Sequence, residues 1–589
     1  MKYNLNDLQA TAPKSSTWSS LGKLLKLIEH ERKNLLLALT AILVNSTLNL
    51  FGPLIIGNTI DNYIFTAHKN YHGVLVNCGI LLGMYLVALL SSYMQTILMG
   101  GVGQRLLFTL RNAIFNKLQL LPVGFFNQNK AGDLISRINN DTDKLNTFFS
   151  QSLMQFIGSI ATMLGAGIFL LSVKFNLGSA TLVPAVIILL FTSMTSAWVK
   201  RKNARNLKSV GGMSAEIQES LNNFKVIIAF NRRDYFRKKF DEANKHNYDT
   251  SIGAGIANTT YVPVYGMLSS FAQLIVLVYG IYLISIGEIG IGVVAVSYLS
   301  YANLFYNPLR QLAALWATFQ TAMAGWDRVA QILELESDLV TVNNNIVHSS
   351  SSLLEFKNVH FSYDESREIL HNISFKLERG KTYALVGPTG GGKTTTASLI
   401  ARLYDASKGS VLLDGKDIRS YEPIERTKKI GFILQEPFLF TGTVRENILY
   451  GNELYVSYTN EQLEQVILEA NLGSLLAIFE QGLDTKVLSS GDSISLGQKQ
   501  LIAFIRAVLR NPELLILDEA TANIDTITEK LLSDILDNLP KETTRVIIAH
   551  RLNTIENADE IFFVNSGEVI QAGSFDHAME MLLHGKRVS

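Results

Sequence analysis

A glycine-rich run that ends in lysine and threonine is the part of this 589-residue sequence best suited to chemistry. It reads GPTGGGKT and fits the spacing G-x-x-x-x-G-K-[ST]. Glycines let successive backbone N–H groups face a phosphate, the lysine neutralises the β- and γ-phosphates, and the next hydroxyl can bind Mg²⁺. The residues expected to hold ATP are Gly387, Pro388, Thr389, Gly390, Gly391, Gly392, Lys393, Thr394 and Thr395.

Two carboxylates follow a second apolar run, LLILDEA. Asp518 ends this predicted strand, and we expect it to hold Mg²⁺ together with Thr394. Glu519 comes next, where a carboxylate can orient and deprotonate an attacking water. The two motifs together predict hydrolysis of ATP, with Glu519 as the catalytic base.

Short strands alternating with helices must position these groups. The predicted strands lie in the runs LLEFKNVHFSY, KTYALVGP, KIGFILQE, LLILDEA, RVIIAHR and IFFVNSGEVIQAG, and the helix TTTASLIARLY follows the glycine-rich loop. This alternation predicts one α/β P-loop domain over residues 353–589, a size expected for a single domain. A polar linker over residues 336–352, which contains NNNIVHSSSS, precedes it.

The first half of the sequence is apolar. Hydrophobic residues make up 48% of the chain, and the mean hydropathy of +0.19 is high for a fully soluble protein. Six stretches without a charged residue can each supply the roughly 20 apolar residues that cross a bilayer. They lie between Lys33 and Asp61, His72 and Arg105, Lys144 and Lys174, Lys174 and Lys200, Asp249 and Glu288, and Glu288 and Arg310. We therefore predict a membrane α-helical domain of six spans over residues 34–335, fused to the P-loop domain.

The connections between the predicted spans indicate their orientation. Residues 100–147 and 200–260 form long polar loops with basic clusters such as Lys200-Arg201-Lys202, whereas the other connections are short. The positive-inside rule places the long loops and both termini in the cytosol. Residues 1–20 lack the continuous apolar core of a signal peptide, and LGKLLKLIEHERK, which completes the segment 1–33, is expected to form an interfacial helix on the lipid bilayer.

Charge and cysteine content exclude several other functions. A net charge of +1 gives no reason to expect a nucleic-acid partner. The single cysteine, Cys78, cannot form an internal disulfide or a cysteine-based metal site. No Asp, Glu, Lys or Arg lies at the centre of a predicted span, which argues against a proton relay or a fixed ion pathway built from such groups.

Aromatic residues are concentrated in the last two predicted spans, and two interpretations of them stay open. They are Tyr261, Tyr265, Phe271, Tyr279, Tyr298, Tyr301, Phe305 and Tyr306. One interpretation is helix packing and contact with lipid. The other is a cavity for an apolar or amphiphilic substrate.

Taken together, these motifs resemble those of the ATP-binding cassette transporter family, and the resemblance covers nearly the whole chain. It is closest to an exporter half-transporter, with six spans ahead of one nucleotide-binding domain. It assigns further roles by position: Tyr363 in FSYDE stacks on adenine, Gln435 is the Q-loop residue and a Mg²⁺ contact, Asp525 in ANID belongs to the D-loop, and His550 in IIAHRL is the switch histidine. In the membrane half, FFNQNKAGDLISRINNDTDKL and AEIQESLNNFKVIIAF are similar to the two cytoplasmic loops of the family.

The resemblance also implies a dimer that holds two ATP molecules, each between the phosphate loop of one domain and the signature loop of the other. The family signature L-S-G-G-Q aligns with Ile494, Ser495, Leu496, Gly497 and Gln498, so leucine replaces its first glycine. Ser489 and Ser490 stand where the family usually has Glu-Arg. Because glycine there permits close approach to the γ-phosphate, we expect Leu496 to weaken the contact with the partner's ATP.

This asymmetry predicts a heterodimer in the bacterial cytoplasmic membrane. The expected partner is a homologous half-transporter with an intact signature and an altered catalytic carboxylate, and the expected substrate is apolar or amphiphilic. Two alternatives stay open: a homodimeric exporter that tolerates Leu496, and an ATP-gated channel or regulator on the same scaffold. An importer is disfavoured, because importers of this family usually keep the membrane and ATP-binding parts on separate chains.

Overall fold

The computed structural model divides the chain into two compact units. The helical unit comprises Thr11–Leu118 and Gly132–Glu334, and the sheet unit comprises Met1–Ala10, Gln119–Ala131 and Leu335–Ser589. The structure describes residues 3–5, 7, 22, 29–65, 70–339, 341–342, 352–364, 367–435, 437–488, 494–518, 526–537, 539–548, 557–573 and 575–584. Most of the predicted interfacial helix and most of the predicted linker lie outside these residues.

Long helices form the helical unit, as expected for apolar stretches that must satisfy their backbone groups internally in lipid. The helices of this half of the chain are α1 (Arg32–Thr59), α2 (Tyr71–Gln119), α3 (Val123–Gln128), α4 (Ala131–Ser136), α5 (Thr142–Thr147), α6 (Leu153–Val173), α7 (Phe175–Asn222), α8 (Phe224–Ala229), α9 (Arg233–Thr259), α10 (Tyr261–Ser285) and α11 (Leu299–Glu334). Of these, α3 belongs to the sheet unit. Short π-helical segments occur at Ile60–Ile64, Arg137–Asp141, Phe148–Ser152 and Val293–Tyr298.

Among the described residues, five helical segments are long and apolar enough to cross a membrane. They are Glu29–Ile64, Tyr71–Gln119, Ala131–Val173, Phe175–Asn222 and Arg233–Ser285, and they contain the first five predicted spans. The sixth predicted span is helical through Val293–Tyr298 and α11, but serines, asparagines and Arg310 make it less apolar. A helical membrane region fused to an α/β domain is therefore confirmed, while the count of six spans is approximate.

Three tyrosines of the sixth predicted span join helices. They are buried, and their hydroxyls donate hydrogen bonds to backbone carbonyls of other helices. Tyr298, Tyr301 and Tyr306 donate to Leu170, Leu50 and Thr181 at 3.1, 2.8 and 2.7 Å, respectively. For these three, helix packing is the interpretation that the structure supports.

A buried ion-pair network joins α4 and the π-helical segment after it to α11. Arg137 is 1% exposed, and its guanidinium donates to Asp133 at 2.9 Å and to the carbonyl oxygen of Arg328 at 2.6 Å. The Arg328 guanidinium in turn donates to Asp133 at 2.6 Å. A buried charge held in this way is costly to disturb, so the network fixes these helices against each other.

Within the described residues of the sheet unit, twelve strands form three sheets. The strands are β1 (Ser352–Phe361), β2 (Leu370–Glu378), β3 (Thr382–Val386), β4 (Lys408–Leu413), β5 (Lys416–Asp417), β6 (Ile430–Ile433), β7 (Gly442–Thr443), β8 (Lys486–Val487), β9 (Leu514–Asp518), β10 (Thr544–Ile548), β11 (Glu560–Asn565) and β12 (Glu568–Gly573). The largest sheet has the order β12-β11-β3-β10-β9-β6, with all neighbours parallel except β11 and β12. A four-stranded antiparallel sheet has the order β2-β1-β4-β5, and β7 pairs with β8.

Helices fill the space around these sheets. They are α12 (Lys393–Ile400), α13 (Pro423–Lys429), α14 (Val444–Ile448), α15 (Asn460–Glu469), α16 (Gly473–Leu476), α17 (Leu496–Val508), α18 (Thr526–Asp537) and α19 (Phe575–His584). One core packs α12 between the antiparallel sheet and the parallel sheet, and includes Phe356, Leu385 and Ile400. A second core is formed mainly by α14, α15, α17 and α18.

The helix after the glycine-rich loop is shorter than the sequence predicts. We expected residues 394–404 to be helical, but α12 ends at Ile400. Arg402 has a φ of +51°, a left-handed conformation that a helix cannot continue through. The last part of the predicted helix is therefore a turn that leads to β4.

Residues at the start of the chain are built into the sheet unit. Tyr3 and Leu5 are buried, and their backbone N–H groups donate to the side chains of Gln128 and Asn129 at 2.7 and 3.0 Å. The Tyr3 hydroxyl accepts a hydrogen bond from the backbone N–H of Asp338 at 2.9 Å. Tyr3 thus joins the segment after α3 to the segment after α11.

Candidate functional site

Four neighbouring strands carry the predicted site residues to one edge of the parallel sheet. In register, Ile548 of β10 pairs with Leu385 of β3 and with Asp518 of β9, and Ile433 of β6 pairs with Leu517. These four strands therefore end at the same level. Because the carboxyl ends of parallel strands share an edge, the residues that follow them converge there.

The glycine-rich loop follows β3 and leads directly into α12. Gly387 has a φ of +143° and Gly392 a φ of +116°, which side chains rarely adopt. A Cβ atom at Gly387 would lie 2.0 Å from the carbonyl oxygen of Val564, and one at Gly391 would lie 2.5 Å from the same atom. The loop is packed against β11 so closely that glycine is required. Its N–H groups and the N-terminus of α12 lie where a phosphate would be held.

Lys393 begins α12, and its ammonium group turns back into the loop. It donates hydrogen bonds to the carbonyl oxygens of Gly387 and Pro388 at 2.8 and 3.0 Å. The side chain is 5% exposed. The structure therefore holds a positive charge inside the loop, where it can meet phosphate oxygens.

Thr394 and Asp518 lie next to each other, as expected for two Mg²⁺ ligands. The hydroxyl of Thr394 is 3.4 Å from a carboxylate oxygen of Asp518, and Asp518 is 2% exposed. Hard oxygen donors of this kind suit Mg²⁺, which commonly takes only one or two protein carboxylates together with substrate phosphates. Within the described residues, no group of three His, Cys, Asp or Glu side chains could hold a metal. The donor set therefore fits a Mg²⁺ ion that is bound jointly with phosphate.

Tyr363 presents its ring beside the loop. The ring packs edge-on against Phe361 and Tyr404, with centroid distances of 4.8 and 5.0 Å. The Tyr363 hydroxyl is 3.1 Å from the hydroxyl of Thr395, and the side chain is 42% exposed. A ring that is supported at its edges and partly exposed can stack on a nucleotide base.

Two residues near Tyr363 were not predicted from the sequence. Tyr404 supports the Tyr363 ring, and its hydroxyl accepts a hydrogen bond from the Asn127 side chain at 2.7 Å. Burial raises the pKa of Tyr404, and the Asn127 hydrogen bond opposes that effect. The only available signal for Tyr404 was its aromatic ring at the end of the predicted helix, and nothing in the sequence marked Asn127 as its partner.

The altered signature lies at the start of α17. Ser495 caps this helix: its hydroxyl accepts from the N–H of Gln498 at 3.2 Å, and the Gln498 side chain accepts from the N–H of Ser495 at 2.9 Å. Leu496 is the first helical residue and is 39% exposed, and Gly497 follows it. Leucine is therefore compatible with the helical backbone here, and part of its side chain is exposed at the helix end.

Several predicted site residues lie outside the described residues. They are Glu519, Asp525 and His550, together with Ser489 and Ser490. Glu519 directly follows Asp518 at the end of β9, and His550 is two residues beyond the end of β10. Gln435 is described: it is exposed and comes two residues after β6.

The sequence matches two family descriptions that together cover most of the chain. Residues 35–309 match "ABC transporter transmembrane region", and residues 370–522 match "ABC transporter". These ranges correspond to the helical unit and to the part of the sheet unit that holds the glycine-rich loop and Asp518.

Several curated proteins are similar over nearly the full length. An uncharacterized ABC transporter ATP-binding protein, YfiC, of Bacillus subtilis is 34% identical over 93% of this chain and 90% of its own length. A fatty acid ABC transporter ATP-binding/permease protein of Mycobacterium bovis is 32% identical over 84% of this chain and 77% of its own. An ATP-dependent lipid A-core flippase of Vibrio cholerae is 30% identical over 95% of each chain. The chain therefore belongs to the ABC transporter family, as a membrane-spanning exporter whose ATP-binding domain hydrolyses ATP coupled to transport.

Proposed function

We propose that this chain is one subunit of a heterodimeric exporter that moves an apolar or amphiphilic substrate across the cytoplasmic membrane by alternating access. Binding of ATP between the two nucleotide-binding domains opens the cavity outward, and hydrolysis at one site resets it. The proposed boundaries are residues 34–335 for the membrane domain and 353–589 for the nucleotide-binding domain. Relatives named for a lipid and for fatty acids support an amphiphilic substrate.

In the proposed catalytic site, this chain supplies the phosphate loop and the groups that act on water. Lys393 and the loop N–H groups bind the phosphates, and Thr394, Gln435 and Asp518 hold Mg²⁺, which would polarise the γ-phosphate. Glu519 takes a proton from the attacking water, and His550 contacts the γ-phosphate. Tyr363 stacks on adenine, and Asp525 belongs to the D-loop. The close approach of Thr394 to Asp518 and the exposed ring of Tyr363 support these roles.

The observation that carries the heterodimer is the position of Leu496. It is the first residue of α17, next to the capping Ser495, and its side chain is exposed at a helix N-terminus. An anion is normally stabilised there by N–H groups and the helix dipole. An isobutyl group at that point covers N–H groups without offering a hydrogen bond, so the partner's ATP is held less well. A homodimer would place this group in both sites.

The experiment compares this chain alone with the chain assembled with its partner. We expect the partner to carry an unaltered signature and a changed carboxylate after its own Mg²⁺-binding Asp. Both samples are reconstituted in lipid, and ATP hydrolysis and substrate accumulation are measured. The chain alone should show little of either, and the pair should hydrolyse ATP at about one site per complex. Robust ATP hydrolysis and transport by the chain alone would refute the heterodimer.

Leu496→Gly tests the asymmetry directly. It should change nucleotide retention at the partner's site more than overall turnover. Leu454→Gly, at an exposed leucine in a turn, serves as the matched control and should change neither. A large change in turnover with unchanged retention would assign Leu496 to the hydrolytic site instead. Substrate flux that only runs down a gradient would favour the channel alternative.

A further inference from the structure

An open polar cavity lies between α1, α2, α6 and α11 of the helical unit. Its volume is about 370 Å³, within the usual range for small-molecule sites. Five of its lining residues carry carboxamides, namely Asn45, Asn49, Gln95, Gln155 and Gln311, and three more carry hydroxyls. Such a concentration of polar groups is unusual in a membrane domain, where polar side chains are costly and usually functional.

The cavity reaches the middle of the bilayer. Asn45 follows the charged Lys33 by 12 positions, and Gln95 precedes Arg105 by 10 positions along continuous helices. At 1.5 Å per residue, both lie about 15–18 Å from the charged end, which is half of a hydrocarbon core about 30 Å thick. Asn49, Gln155 and Gln311 are exposed and Asn45 and Gln95 are half-buried, so each can meet a molecule that enters the cavity at this depth.

The carboxamides of this cavity do not hold the helices together. In the part of the chain that the structure describes, Gln95, Gln155 and Gln311 form no side-chain hydrogen bond to another helix, and the oxygen of Gln95 is buried without a donor. Elsewhere in this unit, polar pairs do join helices: Gln273 donates to Asn303 at 2.8 Å. These three carboxamides are therefore available to a ligand, whereas the Asn49 side chain donates to the Asn45 side chain at 3.0 Å.

The cavity also selects against charged ligands. Among the residues that the structure describes, no Asp, Glu, Lys, Arg or His lines it, and Arg310 is exposed and is not among the lining residues, although it adjoins Gln311. A charged head group would lose its hydration without meeting an opposite charge. The free energy of this desolvation exceeds what hydrogen bonds to the carboxamides contribute. Carboxamides both donate and accept, so they match neutral groups that do the same. Hydroxyl groups have this property.

From these observations we infer that the cavity binds the uncharged, hydroxyl-bearing head group of a single-chain amphiphile, such as an alkyl glycoside. One hydroxyl donates to the Gln95 oxygen, and other head-group oxygens accept from the N–H groups of Gln155 and Gln311. This inference rests on the proposed function, since it names the class of substrate that the exporter carries. Amide and hydroxyl side chains of α1, α2, α6 and α11 thus recognise the head group.

Photolabelling of the protein in lipid nanodiscs, without nucleotide, tests the binding step. The probe is an octyl glucoside that carries a diazirine, and labelled peptides are identified by mass spectrometry. Labelling should fall on the peptide that contains Gln155. Unlabelled octyl glucoside should suppress it at least tenfold more effectively than octyl sulfate or octyltrimethylammonium. Equal or better suppression by a charged amphiphile would overturn the inference.

Three substitutions connect the labelling to the cavity. Gln95→Leu and Gln155→Leu each remove one hydrogen-bonding side chain at similar volume, and each should reduce labelling about 2- to 10-fold. Gln273→Leu is the matched control, because Gln273 is a membrane carboxamide outside the cavity. Gln155 is exposed, so its variant is suited to test binding even where Gln95→Leu does not fold. Unchanged labelling in Gln155→Leu, or an equal loss in Gln273→Leu, would refute the site.

ATP-driven uptake separates this inference from the proposed function. Specific labelling without ATP-dependent accumulation of the glucoside in inside-out vesicles would support the site and contradict export of this ligand. ATP-dependent accumulation of other amphiphiles, with labelling that is not specific to the cavity, would support export and overturn the site.

Discussion

Lys393→Ala is expected to weaken ATP binding at this chain's loop by roughly 10- to 150-fold. The ammonium lies inside the loop, where it already donates to the carbonyl oxygens of Gly387 and Pro388 at 2.8 and 3.0 Å. Bound ATP exchanges at least one of these neutral partners for a phosphate oxygen. The variant therefore loses one hydrogen bond between charged groups, about 1.5–3 kcal/mol, which gives the stated range.

Equilibrium titration with a fluorescent ATP analogue measures the effect. The chain is purified without its partner and kept at one salt concentration, because screening changes charge–phosphate interactions. Lys408→Ala is the matched control, since it removes an equal charge from an exposed position on β4. Thermal unfolding of both variants is measured to check that each retains its fold. Binding by Lys393→Ala that equals binding by Lys408→Ala would refute the assignment of the phosphate loop.

Three further outcomes are expected. Glu519→Gln should retain ATP affinity but lower turnover about 10²-fold or more, so near wild-type hydrolysis would exclude it as the base. Tyr363→Ala should weaken ATP binding by roughly 1–3 kcal/mol if its ring stacks on adenine, whereas Tyr458→Ala, at a similarly exposed tyrosine, should leave the titration unchanged. Arg137→Met leaves Asp133 with one cation instead of two, and should lower the thermal midpoint in nanodiscs; an unchanged midpoint would contradict a stabilising role for the network.

The sequence predicted the parallel sheet well, because its strands are short apolar runs next to recognisable loops. The runs TYALV and LLILD correspond to β3 and β9 as the structure has them. The strands β2 and β4 were missed. Each pairs with β1 in an antiparallel sheet, and β2 alternates buried and exposed residues, which makes a weaker signal than a continuous apolar run.

Parts of the candidate site depend on contacts between distant residues, which a single sequence does not reveal. Tyr363 was predicted from its motif, but its support by Tyr404 and the bond from Asn127 to Tyr404 span 41 and 277 positions. The cavity carboxamides were also missed, because single Asn and Gln residues on four separate helices form no local pattern. The sequence suggested a substrate cavity only from the aromatic residues of the last two predicted spans, and three of these residues pack between helices.

The bond between Tyr3 and Asp338 sets an order of events during synthesis. These residues are 335 positions apart, so Tyr3 cannot reach its place until all the membrane helices have left the ribosome. At 5–20 residues per second, that delay is roughly 20 to 70 s. The sheet unit matures only after the membrane helices have emerged, and a fusion placed before Tyr3 must keep its backbone N–H accessible to Gln128.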